Sequence, residues 1–145
     1  MELTKNFCLE EFFRSSTARR CGIDNTPNEA VKERLRSLCV NILQPLRDEW
    51  GSPIVVSSGY RCGRLNRRVG GVSRSDHLYG CAADIKTPED TPESNRRLFE
   101  LAVKMMRAGR LRGVKQIIDE YGYDWIHISW QDGRTGKCNQ VLHVR

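Results

Sequence analysis

The sequence predicts an α+β fold in which helices pack on a small, mainly antiparallel sheet. Two long amphipathic stretches each open with Thr-Pro and close at a glycine. Four short runs rich in β-branched and apolar residues lie between and after them, and no linker, repeat or low-complexity tract divides the chain. At 145 residues and 39% hydrophobic, the chain is the size of one domain over 1–145 with one sizeable core.

The first helix is expected in "TPNEAVKERLRSLCVNILQPLRDEWG". Thr26 is read as its N-cap, Pro27 as its first residue and Glu29 as the partner in a capping box. Val31, Leu35, Leu38, Cys39, Ile42 and Leu46 share one helical face, with a bend near Pro45 and a stop at Gly51. The second helix, "TPESNRRLFELAVKMMRAG", has Thr91 as cap and Pro92 at its first position. Leu98, Leu101, Ala102 and Met105 form its inner stripe, and Gly109 closes it. The strand-like runs are "PIVVSS" at 53–58, "CAADIK" at 81–86, "VKQIID" at 114–119 and "WIHISW" at 125–130.

Composition bounds the function classes. No apolar run reaches the roughly 18 residues that cross a bilayer, and "MELTKNFCLEEFFRSS" lacks the basic-then-apolar layout of a secretory signal. The expectation is a soluble chain, monomeric, made in the cytoplasm and without a membrane partner. The net charge of +6 favours anionic surroundings such as nucleic acid, lipid headgroups or a polyanionic wall. Six cysteines are scattered with no C-x-x-C pair, so neither a zinc ribbon nor a redox motif is readable; mostly buried free thiols are expected, with a disulfide left open.

The chemistry concentrates in "SRSDHLYGCAADIK" and "DWIHISW". On a strand over 125–130, Trp125, His127 and Ser129 share one face, opposite Ile126, Ile128 and Trp130. Asp84 shares its face with Ala82, and small neighbours leave room around the carboxylate. Gly80 permits a turn folding His77 back over that strand, and pairing of the two strands brings His127 alongside. Two imidazoles and one carboxylate then converge, which is the donor set of a catalytic zinc site with a fourth position left for water. Two of the chain's three histidines sit in this arrangement; His143 belongs to no comparable group and reads as a surface or supporting residue.

Ser75-x-His77-x-x-Gly80-x-Ala82-x-Asp84 followed by Asp124-x-x-His127 resembles the signature of the zinc D-alanyl-D-alanine carboxypeptidase family, which also includes many phage endolysins. "CLEEFFRSSTARRCGIDNTP", "NILQPLRDEWGSPIVVSSGYRCGRLN" and "DWIHIS" extend the resemblance from about Leu3 to Ser129. It implies a hedgehog/DD-peptidase-like fold and a zinc-dependent peptidase acting on peptidoglycan stem peptides at the cell wall. Release through a holin would fit a phage or prophage lysin. His77, Asp84 and His127 match the family's Zn2+ ligands, and Asp124 its general base. Arg61, in "SGYR", matches the arginine near the substrate carbonyl or carboxylate, and Ser75 the motif serine, which contacts substrate or orients a ligand. Along a regular strand Asp124 would face away from His127, so a turn or bulge near Gly122 must swing it round.

Two other classes share features of this sequence. A zinc-binding hedgehog-like module can keep the metal site without hydrolysis; Asp124 argues for the enzyme. The basic run "RCGRLNRRVGGVSR" could contact phosphates, but it lacks a P-loop, aromatic interleaving and any nucleic-acid-binding signature. It is read as a solvated face, with no nucleic-acid partner. Terminal carboxypeptidase and endopeptidase activities share this metal set, so the bond cut is left open.

Overall fold

A computed structural model describes residues 1–134 and 136–145. A short hairpin, β1 (Glu2–Thr4) and β2 (Phe7–Cys8), leads into α1 (Glu10–Phe13) and α2 (Ser16–Cys21). The long helical segment comprises α3 (Glu29–Leu38), a π-helical turn (Cys39–Leu43) and α4 (Gln44–Trp50). Strand β3 (Val55–Ser58), α5 (Gly63–Arg68), a 3-10 turn (Asp76–Tyr79) and β4 (Ala82–Lys86) follow. The chain then forms α6 (Pro92–Arg107), β5 (Val114–Glu120), β6 (Trp125–Trp130) and β7 (Gln140–Val144).

The main sheet has the order β3-β4-β6-β5-β7, antiparallel throughout except for the parallel β5–β7 pair. The α+β expectation holds, and all four expected strands form. Strand β7, not expected from the sequence, is an added edge.

Both expected helices exist, but the first starts later. Asn28, not Thr26, is the N-cap: its side chain accepts from the Val31 N–H, while the Thr26 N–H donates to Asp24. Asn is among the strongest N-cap residues, and here it takes the role two positions downstream. At α6 the same Thr-Pro pair caps as expected, because Ser94 completes a capping box with Thr91. The expected bend near Pro45 is a π-helical turn. Proline has no N–H to return to Asn41, and the Asn41 carbonyl accepts instead from the Arg112 N–H at 3.1 Å.

One sheet face supplies the core. Ala83, Ile85, Ile117, Ile126 and Ile128 are fully buried and cluster with Leu35, Leu38, Ile42 and Leu46 of the long segment and Leu98, Ala102 and Met105 of α6. Each buried isoleucine or leucine contributes roughly 1.5–3 kcal/mol relative to exposure, enough to fix the register of every strand bearing one. Alternation sends Asp84, His127 and Glu120 to the opposite face.

Two of the six cysteines are buried, Cys39 and Cys81; Cys8 and Cys138 are exposed, and Cys21 and Cys62 half-buried. All six are free thiols, so the expectation that most would be buried is corrected. Among the described residues, no helix is long and apolar enough to cross a membrane.

Candidate metal centre

The β4–β6 ladder places Asp84 directly opposite His127. The 3-10 turn delivers His77 from above: Ser75 caps it by accepting the His77 N–H, and Gly80, at φ +77°, ends it and starts the chain into β4. A Cβ on Gly80 would lie 2.8 Å from Val31 Cγ1 and 2.9 Å from the Val31 carbonyl oxygen, so the turn sits tightly on α3. The motif spacing between His77 and Asp84 is thus one helical turn, one left-handed glycine and the first residues of a strand.

One donor atom each from His77, Asp84 and His127 lie within 4.8 Å of one another. His77 Nε2 is 3.3 Å and His127 Nδ1 3.2 Å from the same Asp84 oxygen, Oδ1. Two donors on a tetrahedral zinc at 2.0–2.1 Å stand about 3.3 Å apart, so these separations suit shared ligation. His77 is already oriented for it. Its Nδ1 faces the Gly59 carbonyl at 2.5 Å, a bond in which Nδ1–H donates and Nε2 keeps its lone pair for the site. The donor set therefore fits a zinc ion.

Burial alone would raise the Asp84 carboxyl. The two imidazoles outweigh it and hold Asp84 well below the usual carboxylate range, as an anion ready to ligate. Behind His77, both carboxylate oxygens of Asp76 accept from the Lys115 ammonium, at 2.9 and 2.8 Å, and Oδ1 also accepts from Arg134 at 2.7 Å. This buried pair fastens the turn to β5.

A cavity of about 400 Å³ opens over the three donors, lined also by Arg61, Ser75, Glu120 and Trp125. Arg61 lies beside the site: its backbone N–H donates to the His77 carbonyl, its Nη2 reaches Ser75 Oγ at 3.5 Å, and its buried Nε has no hydrogen-bond partner. Burial lowers the guanidinium's proton affinity and Asp84 partly restores it, leaving a cation without a carboxylate clamp. The basic run divides in two. Arg61 and Arg74 line this cavity, whereas Arg64, Arg67 and Arg68 border a separate groove with Arg20.

Asp124 stands apart. It is exposed on the turn joining β5 to β6 and does not line the cavity. Tyr121, Gly122 and Tyr123 all have positive φ, so the turn expected near Gly122 exists, yet the ladder stays in register from Glu120↔Trp125 to Gln116↔Ser129 and no bulge carries Asp124 round. The sequence reading missed Glu120. Its partner Trp125 shares a face with His127, a relation that appears only once the β5–β6 register is known. Burial raises the Glu120 carboxyl above its ordinary value, with Asp84 and Asp119 adding to the rise and His127 opposing it.

These features define a metallopeptidase-type centre, and comparison with known proteins agrees: the family model described as Peptidase M15 matches residues 5–129, and the chain belongs to that family. It is also similar to the zinc D-Ala-D-Ala carboxypeptidase of Streptomyces albus G, with 35% identity over 141 residues that cover 92% of this chain. The chain spans about half the length of that relative, 51%.

Proposed function

We propose that residues 1–145 form one zinc peptidase domain that hydrolyses peptide bonds in peptidoglycan stem peptides, with His77, Asp84 and His127 as the metal ligands. The observation that carries this reading is the convergence of two imidazoles and a carboxylate on one cavity wall beside an unclamped arginine. The Streptomyces relative, named for the D-Ala-D-Ala substrate, supports the same substrate class.

Bound zinc would supply Lewis acidity toward a peptide carbonyl and an acidified water. The chain's own groups do the rest. Asp84 and the two imidazoles would hold the ion at the cavity wall, and the Gly59 carbonyl sets the His77 ring. Arg61 receives a substrate carboxylate bidentately or the oxygen of the carbonyl under attack, tasks that suit a planar guanidinium with unused donors. Ser75 holds both ends of this arrangement through its contacts to the His77 N–H and to Arg61. The motif assigns proton transfer to Asp124, an assignment that rests on the motif alone.

The substrate class is compatible with a lysin role at the cell wall, and both carboxypeptidase and endopeptidase cleavage suit an open cavity. Digestion of purified sacculi with and without a chelator, followed by mass spectrometry of the released peptides, tests the reading and identifies the bond. Chelator-sensitive release of cleaved stem peptides is expected. Intact stem peptides after incubation with zinc-loaded protein would overturn it.

A further inference from the structure

We infer that Glu120 is the carboxylate that carries the proton during peptide cleavage, an assignment that rests on the peptidase reading above. Strands β5 and β6 pair with Glu120 opposite Trp125 and Ile118 opposite His127. Directly paired residues share a sheet face, so Glu120 stands on the face that bears His127, two pairs along the ladder with Asp119↔Ile126 between them.

Elimination among the cavity's carboxylates leads to the same residue. Three carboxylates line it: Asp76, Asp84 and Glu120. Asp76 is saturated by Lys115 and Arg134. Asp84 is committed to the two imidazoles. Among the described residues, no hydrogen bond or ion pair engages the Glu120 carboxylate, which is half-buried and lines the cavity. Its sequence neighbour Asp119 points to the other side of the sheet, fully buried and bound by His143 and Arg145. Asp124, the motif's acidic residue, is exposed and outside the lining.

The proton balance is simple. Glu120 takes one proton from water as the water oxygen bonds to the peptide carbonyl carbon. The C–N bond then breaks and Glu120 returns that proton to the departing nitrogen. The new carboxyl group gives up the remaining proton to the amine, leaving a carboxylate, an ammonium and an unchanged Glu120. A carboxylate that lines the cavity suits both transfers.

Glu120→Gln, Glu120→Asp and Asp124→Asn, each compared with wild-type zinc protein on a synthetic stem peptide, test the assignment. Zinc content, unfolding midpoint and calorimetric affinity for the cleavage product are measured on the same samples. Glu120→Gln is expected to match wild type in zinc, midpoint and product affinity while losing about 100-fold or more in kcat with KM little changed. Glu120→Asp should recover part of the rate. Retention of more than about a third of wild-type kcat in Glu120→Gln, or loss of zinc from it, overturns the assignment. An inactive wild-type protein would instead remove the peptidase reading, and this inference with it.

Discussion

Lys115 holds both carboxylate oxygens of Asp76 from beneath the turn that carries His77, at 2.9 and 2.8 Å, and both side chains are nearly inaccessible to water. One partner is the residue immediately before a proposed metal ligand, and the other sits on β5, the strand that also carries Glu120. The pair thus joins two walls of the cavity.

Asp76→Asn should destabilise the protein by about 3–5 kcal/mol, because Lys115 is left as a buried cation without its anion. Replacing Asp76 and Lys115 together with uncharged residues of similar volume should cost less than the single change. Urea unfolding of the two variants, each compared with wild type, checks the order.

Metal removal has a separate signature. A ligand that binds only the folded state raises stability by RT ln(1 + [L]/Kd), so free zinc at 100 times its Kd adds about 2.7 kcal/mol. The unfolding midpoint should rise with added zinc in wild type and stay flat in a His77→Ala, His127→Ala double variant. Elemental analysis should find one zinc per wild-type chain and none in the double variant; full occupancy in the latter would remove these residues as ligands.

Arg61→Lys should be costly despite keeping the charge, since an ammonium cannot reproduce a planar two-pronged contact. A loss of about 2–4 kcal/mol in kcat/KM is the scale for such a donor. A fall mainly in kcat places the guanidinium at the developing oxyanion, and a rise mainly in KM places it at a substrate carboxylate. Kinetics unchanged from wild type would remove Arg61 from substrate binding and catalysis.

Much of this architecture was readable from residue order, and the failures share a cause. The 3.6-residue stripes of α3–α4 and α6, and the alternation in "WIHISW", are local patterns tied to a buried face, so the sequence displays them directly. The His77–Asp84 spacing was legible because Gly80 and two small residues leave a single economical path from turn to strand. Glu120, the Asp76–Lys115 pair and β7 depend on how β5 is registered against its neighbours. Nothing in "VKQIIDE" announces that Lys115 meets a carboxylate 39 positions away, or that Glu120 shares a sheet face with His127. Strand β7 is a half-exposed edge joined in parallel, with Gln140 and His143 breaking its apolar pattern. The Thr26 cap failed for a local reason, since a better cap lay two residues on.

Acid should loosen the C-terminal strand through Asp119. Burial would raise this carboxyl, but bonds from His143, Arg145 and the Tyr123 N–H hold it below the ordinary carboxylate value. A group whose folded pKa is depressed contributes stability that is fully present above its unfolded value, near 3.9, and lost as pH falls through the folded value. Stability should therefore drop below about pH 4. Asp119→Asn should be less stable at neutral pH and show a shallower acid slope, measured by denaturant unfolding at a series of pH values.

The π-helical turn ahead of Pro45 has an effect on phase. An α-helix advances about 100° per residue, so one extra residue within a turn rotates everything downstream by that amount. Leu46 and Trp50 consequently meet the core at an azimuth that an uninterrupted helix from Glu29 would not give them. The spare carbonyl of Asn41 meanwhile becomes the mooring for Arg112, two residues before β5 begins. A proline that donates nothing thereby sets both the angular bearing of α4 and the point from which the strand carrying Lys115 and Glu120 sets out.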